Sequence, residues 1–337
     1  MGNIKLDFYG YGVHIASEVA EIIRFLNIDY SYFKSDEVKA DVRIEIFNKK
    51  YNVSSLPEMV TVFSTPRNVC YFKDDVNYID YFGGAMTLYD RANKKIEIFS
   101  EDVYLAHAAA YQAILSLAGQ YLDKKAYHRV HSVGFDFNGK AVIIMMDTGS
   151  GKTDLTLRLL NSKDQLKLIS EDTPLVARGG EILPFPLRIG VRDPKQVSNV
   201  PEDRQIHLPL LEFGPKDMID VAFFGDRISR KSSNPWILIV GKRSTYNEPK
   251  ISQISKPAVF NNVFKNQIMA LGMYQGLEFM LKSSPFNIFK KFGIVFSRFI
   301  NSLVLIFKSK TFCLILSKDT NKNYEFLLKF LHRQERS

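Results

Sequence analysis

Cysteine is almost missing from this chain. Cys70 and Cys313 are the only two in 337 residues, neither belongs to a Cys-x-x-Cys pair, and both lie in apolar runs. That pattern excludes a disulfide framework or a thiolate zinc site and suits a reducing compartment. The first residues, Met1 to Asp7, lack a basic region followed by an apolar core. No secretory signal is expected, and the expected location is the cytoplasm. Long apolar runs are missing too: residues 292–307 are interrupted by Arg298, Asn301 and Ser302 and fall short of the ~20 residues of a bilayer span, so no membrane span is expected. There is no internal repeat and no low-complexity linker, and no recognisable nucleic-acid module frames the basic residues, so no nucleic-acid partner is expected. Acid is absent between Glu278 and Asp319.

Hydrophobic residues make up 46% and charged residues 24% of the chain. Such proportions build a globular core rather than a disordered chain, and the length allows one large or two modest domains. The net charge of +9 favours anionic partners without choosing among nucleotides, phosphopeptides and charged surfaces. Dispersed lysines would give the same total with no partner at all.

Alternation and turn residues predict strands over Ile4–Phe8, Val42–Phe47, Met59–Phe63, Asn77–Phe82, Met86–Tyr89 and Lys95–Phe99. Ser17 is expected to cap a helix with Glu18 and Glu21 near its positive end, and a long helix is expected over 103–122. The charged stretch Asp123-Lys124-Lys125 divides an amino-terminal α/β part, 1–125, from a second part, 126–337. In the second part, Val133–Phe137 and Ala141–Met146 flank Asn138-Gly139, a pairing that predicts a hairpin because both turn residues tolerate positive φ. The second strand runs directly into Asp147-Thr148-Gly149-Ser150-Gly151-Lys152-Thr153. A helix over 152–160 and a strand over 166–169 follow, and that strand ends in Ser170-Glu171-Asp172. Strand, glycine loop, helix, strand and acidic tip is the order a phosphate-binding loop requires.

The chemistry follows from these residue types. Glycines let backbone N–H groups converge on a phosphate, and the helix that follows adds its positive end. Lys152 would reach the terminal phosphates, and Thr153 would offer a hydroxyl to Mg²⁺. Two carboxylates at the next strand end can divide metal binding, assigned to Asp172 with Thr153, from acceptance of a proton from an attacking hydroxyl. His131, just before the hairpin, either faces a phosphate or is a hydrogen-bonded structural histidine. Asp154 either tunes the metal site or stabilises the helix start. Arg188 and Arg192 suit phosphate contacts or structural salt bridges equally. Lys242 and Arg243 close the apolar strand 236–240, and the segment 193–234 is a substrate loop or an ordinary insertion.

The stretch from His131 to Asp172 resembles the catalytic core of the HPr kinase/phosphorylases, relatives of the phosphoenolpyruvate carboxykinase-type P-loop proteins. The resemblance rests on His131, the loop 147–153, Asp154 and the pair Glu171-Asp172. The family has serines where this chain has Thr148 and Thr153, glutamate at Asp154, aspartate at Glu171, and glycine at Met146. Phe8 to Glu18 and Ile182 to Arg188 are similar to HPr-kinase-like enzymes of peptide natural-product pathways, including lasso-peptide precursor kinases. The resemblance implies an α/β fold with a mixed β-sheet core, ATP or GTP with Mg²⁺, general-base and metal roles shared by Glu171 and Asp172, and His131 near the transferred phosphate. It implies a peptide or protein substrate, such as a precursor peptide, phosphorylated on Ser or Thr.

Two other function classes stand beside that one: a kinase of a small hydroxylated molecule such as free serine, and a nucleotide-dependent regulatory module without transfer. The acid-free stretch carries Lys282, Lys290, Lys291, Arg298, Lys308 and Lys310 among large apolar residues. It reads as a core helix with a solvated basic face, or as a docking surface for an acidic peptide or anionic lipid.

Overall fold

A computed structural model describes the chain except for residues 148, 163, 210–214, 270–278, 280–285 and 337. The protein is mixed α/β and divides into two compact units: residues 1–125 with 200–220 and 274–292, and residues 126–199 with 221–273 and 293–337. The second unit thus begins at Ala126, but residues 126–337 are not one continuous block, because two later segments return to the first unit. Their return has no sequence mark comparable to Asp123-Lys124-Lys125.

The first unit is built on an eight-stranded sheet. Its strands are β1 (Gly2–Asp7), β2 (Gly12–Ser17), β3 (Val42–Phe47), β4 (Thr61–Ser64), β5 (Val69–Lys73), β6 (Val76–Asp80), β7 (Met86–Asp90) and β8 (Lys95–Phe99). They lie in the order β1-β2-β3-β8-β7-β6-β5-β4. Helices α1 (Ala20–Asp29) and α2 (Val103–Lys124) pack on it. Asp102 caps α2 by accepting from the N–H groups of Tyr104 and Leu105 at 2.8 and 3.0 Å, as expected of a carboxylate at a positive helix end. Ser17 does not cap α1. It ends β2, a strand the sequence reading missed, and Val19 is the cap residue. The β5–β6 hairpin turns on Asp74 and Asp75, both at positive φ. Aspartate tolerates that region better than most residues, but without a glycine the turn was not anticipated and β5 was missed.

In the second unit, β9 (His128–Arg129) joins β13 (Leu175–Val176) and β14 (Ile182–Leu183) in a small sheet. The main sheet contains β10 (Val133–Phe137), β11 (Lys140–Met146), β12 (Leu166–Ser170), β18 (Asn234–Arg243), β19 (Lys250–Gln253) and β20 (Lys310–Leu316). Between β14 and β18 the chain also forms β15 (Ile189–Val191), and in the first unit the hairpin of β16 (Gln205–Leu208) with β17 (Lys216–Ile219). The sheet order is β12-β10-β11-β18-β20-β19, with β11, β18 and β20 parallel. Asn138 and Gly139 have φ of 55° and 80° and close the β10–β11 hairpin. All residues of β11 from Ala141 to Met146 are buried. Its uninterrupted apolar run is what a central strand covered on both faces needs.

Helix α3 (Lys152–Asn161) packs against β12 and the C-terminal helix Thr320–Arg336. Two further helices, α4 (Lys256–Val263) and the long helix Phe286–Lys308, contribute Val259, Val263, Leu305 and Ile306 to the core beneath Ile143 and Met145. No helix among the described residues is long and apolar enough to cross a membrane.

Candidate active site

The site lies at the carboxyl end of β11, where an open α/β sheet commonly places ligands. After Met146 the chain turns through Gly149 (φ 78°) and Gly151 (φ 97°) into α3. The turn is held by Ser150, whose N–H donates to the Asp147 carbonyl at 3.2 Å and whose hydroxyl donates to the same oxygen. No atom lies within 4 Å of the place a Cβ would occupy on either glycine. Neighbouring atoms therefore do not require glycine at these positions. The left-handed backbone does, and the loop leads into the positive end of a ten-residue helix.

Met146, which stands where the resembled family has glycine, does not obstruct the loop. Its side chain is buried in the sheet beside Gly241 of β18, where a Cβ would lie 2.6 Å from Met146 Cγ. The missing side chain at Gly241 makes room for the methionine.

Five predicted residues form two groups here: Lys152 with His131 and Asp172, and Thr153 with Glu171. Lys152 is 8% exposed. Its Nζ lies 2.8 Å from His131 Nε2 and 3.4 Å from Asp172 Oδ1. Asp172 Oδ1 also lies 3.0 Å from His131 Nδ1, and its side chain is 47% exposed. Burial pushes the Asp172 carboxyl up, but His131 and Lys152 outweigh it and hold the pKa below the ordinary value of 3.8. Thr153 donates its hydroxyl to Glu171 Oε1 at 2.6 Å. The backbone sets the array: Ser132 N–H donates to the Asp172 carbonyl at 3.0 Å, and His131 N–H donates to the Asn266 carbonyl at 2.9 Å.

Other predicted residues are placed elsewhere. Asp154 is engaged by Arg158 Nε at 2.9 Å and by the Gln196 amide at 3.0 Å. Arg158 in turn donates to Thr320 at 2.8 Å and to Asn321. Asp154 thus anchors α3 to its surroundings. Arg188 is half-buried and Arg192 exposed, at either end of β15, which packs against α3. Asp147 points outward, with Lys265 Nζ 3.8 Å away. Thr148 lies outside the described residues.

Two contributors were not identified as site residues from sequence. Arg243, at the end of β18, donates to the Gly149 carbonyl at 3.3 Å. Asn266 seats His131 through its carbonyl. The parallel pairing of β18 with β11 brings Arg243 to the loop; the only sequence signal was a cation at a strand end.

The acid-free segment is not uniformly a basic surface. Arg298 is fully buried and donates to the Gln267 carbonyl at 2.8 Å. Lys282 lies outside the described residues. Lys308 donates to the Gly179 carbonyl, also at 2.8 Å.

No protein-family model matches the chain, and no curated protein matches it significantly.

Proposed function

We propose that the chain is a Mg²⁺-dependent phosphotransferase that moves the terminal phosphoryl group of ATP or GTP to a Ser or Thr hydroxyl of a peptide or protein. The observation that carries this reading is that Lys152 meets His131 and Asp172, and Thr153 meets Glu171, at a doubly glycine-turned loop entering a helix N-terminus. Backbone N–H groups of the loop and the end of α3 would hold the phosphates. Lys152 would exchange its His131 and Asp172 contacts for the terminal phosphate as nucleotide enters.

The donor set fits Mg²⁺. Thr153 and Glu171 offer hard oxygens side by side, and this ion is usually held by one or two carboxylates together with substrate phosphates. Because Thr153 donates to Glu171 Oε1, Glu171 would be the carboxylate on the metal side in this reading. When bound, the ion would neutralise charge on the phosphate oxygens. Asp172 is left to orient the acceptor. Its lowered pKa keeps it ionised at neutral pH, so it can accept a hydrogen bond from the attacking hydroxyl. As that oxygen bonds to phosphorus and the bond to the nucleoside diphosphate breaks, Asp172 takes up the hydroxyl proton. His131, within reach of both Asp172 and Lys152, holds the two in register.

The peptide acceptor rests on the resemblance to peptide-maturation kinases over 8–18 and 182–188. The test incubates the protein with Mg²⁺, nucleotide and either hydroxyl-bearing peptides or free serine, and reads phosphate gain by mass spectrometry. Transfer to free serine with none to any peptide would replace the acceptor while keeping the chemistry. Nucleotide binding without any transfer would leave a regulatory module.

A further inference from the structure

The helix Phe286–Lys308 packs inward through Leu305 and Ile306 together with three buried polar residues. Arg298 donates to the Gln267 carbonyl, Asn301 to the carbonyls of Ala126 and Val176 at 2.9 and 3.1 Å, and Ser302 to Gln267 Oε1 at 2.8 Å. The outward side carries Phe296, Ile300 and Phe307, of which the two phenylalanines are each 65% exposed. Spacings of four and seven residues put these three on one stripe, about 16 Å long at 1.5 Å per residue. Phe264, after α4, is also 38% exposed. Exposed apolar surface of this extent marks an interaction site.

Charge narrows the partner. Lys256 lies over the Phe307 ring at 5.1 Å, Lys308 follows Phe307, and Lys310 is exposed. No acid occurs between Glu278 and Asp319. A second copy would set this acid-free stripe, on a chain of net charge +9, against its own kind, and like charges facing each other are unfavourable. A peptide would find no backbone donors or acceptors on a continuous helix. An outward apolar stripe flanked by lysines is instead the arrangement of helices that lie in the headgroup region of anionic bilayers, where the rings insert and ammonium groups meet lipid phosphates.

We infer that the face formed by Phe296, Ile300 and Phe307 is an interfacial anchor for an anionic lipid surface. The protein would lie on such a membrane without crossing it.

The test is co-flotation of the full chain with phosphatidylglycerol–phosphatidylcholine vesicles and with phosphatidylcholine vesicles. Binding should favour the anionic vesicles and weaken as salt is raised. Phe296→Ser combined with Phe307→Ser should lower partitioning at least about tenfold, with unchanged circular dichroism and unchanged nucleotide turnover in solution. Absence of wild-type binding to anionic vesicles would overturn the proposal, as would equal, salt-independent binding to both vesicle types or undiminished binding by the folded double variant. A wild-type dimer in light scattering that the double variant dissolves, with no vesicle binding, would assign the face to a second copy instead.

Discussion

Lys152→Met is the most informative single change. Methionine keeps most of the buried stem and removes only the charge. The Lys152 Nζ contacts His131 at 2.8 Å and Asp172 at 3.4 Å. Asp172 is half-exposed and retains His131 at 3.0 Å, so losing Lys152 does not strand a buried charge. The stability cost should be about 1 kcal/mol or less. Turnover should suffer far more: removing one charge-stabilising donor from a pre-formed site typically costs about 10²–10³-fold in rate, or ~2.7–4 kcal/mol. Calorimetric titration with Mg²⁺ and ATP or GTP, single-turnover transfer and a thermal melt separate the three effects. A folded variant with wild-type affinity and wild-type turnover would refute the phosphate role of Lys152. A variant that does not fold would refute the stability estimate.

Asp172→Asn should retain nucleotide binding and lose about 10²–10⁴-fold in transfer rate, as read by single-turnover kinetics. Glu171→Gln should instead raise the Mg²⁺ concentration needed for half-maximal rate, measured by metal titration. Because the folded-state pKa of Asp172 is lowered, its contribution to stability is present above 3.8 and is lost as pH falls through the folded value. Asp172→Asn should therefore flatten the acid-side fall of stability below pH 3.8, as followed by denaturant melts across that range. Asp154→Asn weakens a contact to Arg158; it should cost about 0.5 kcal/mol in melts and leave nucleotide affinity unchanged.

The glycine turn from β11 into α3 was legible because local signals suffice for it. Asn138-Gly139 specifies a hairpin, the apolar run of β11 specifies a covered central strand, and the glycines specify a left-handed turn into α3. The adjacency of His131, Lys152 and Asp172 was only half legible. Their order along the chain suggested proximity, but the hydrogen bonds from Ser132 and His131 that fix it are tertiary. Asp154 looked like a site residue because it follows Thr153, yet helical geometry turns it to Arg158, four residues on. Arg298 looked like a surface cation because it sits in a basic stretch, although the helix buries it on a polar inner side. Composition gives the charge of a segment, whereas the direction each side chain takes depends on what the helix packs against.

The central claim is transfer of a terminal phosphoryl group from this loop to a hydroxyl. It is tested most directly by incubating the protein with Mg²⁺, γ-phosphate-labelled ATP or GTP and a panel of Ser- and Thr-bearing peptides, and following the label. The account predicts labelled phosphoserine or phosphothreonine with wild-type protein and its loss with Lys152→Met and Asp172→Asn. Label that reaches no hydroxyl acceptor, or that reaches one equally well with both variants, would contradict it.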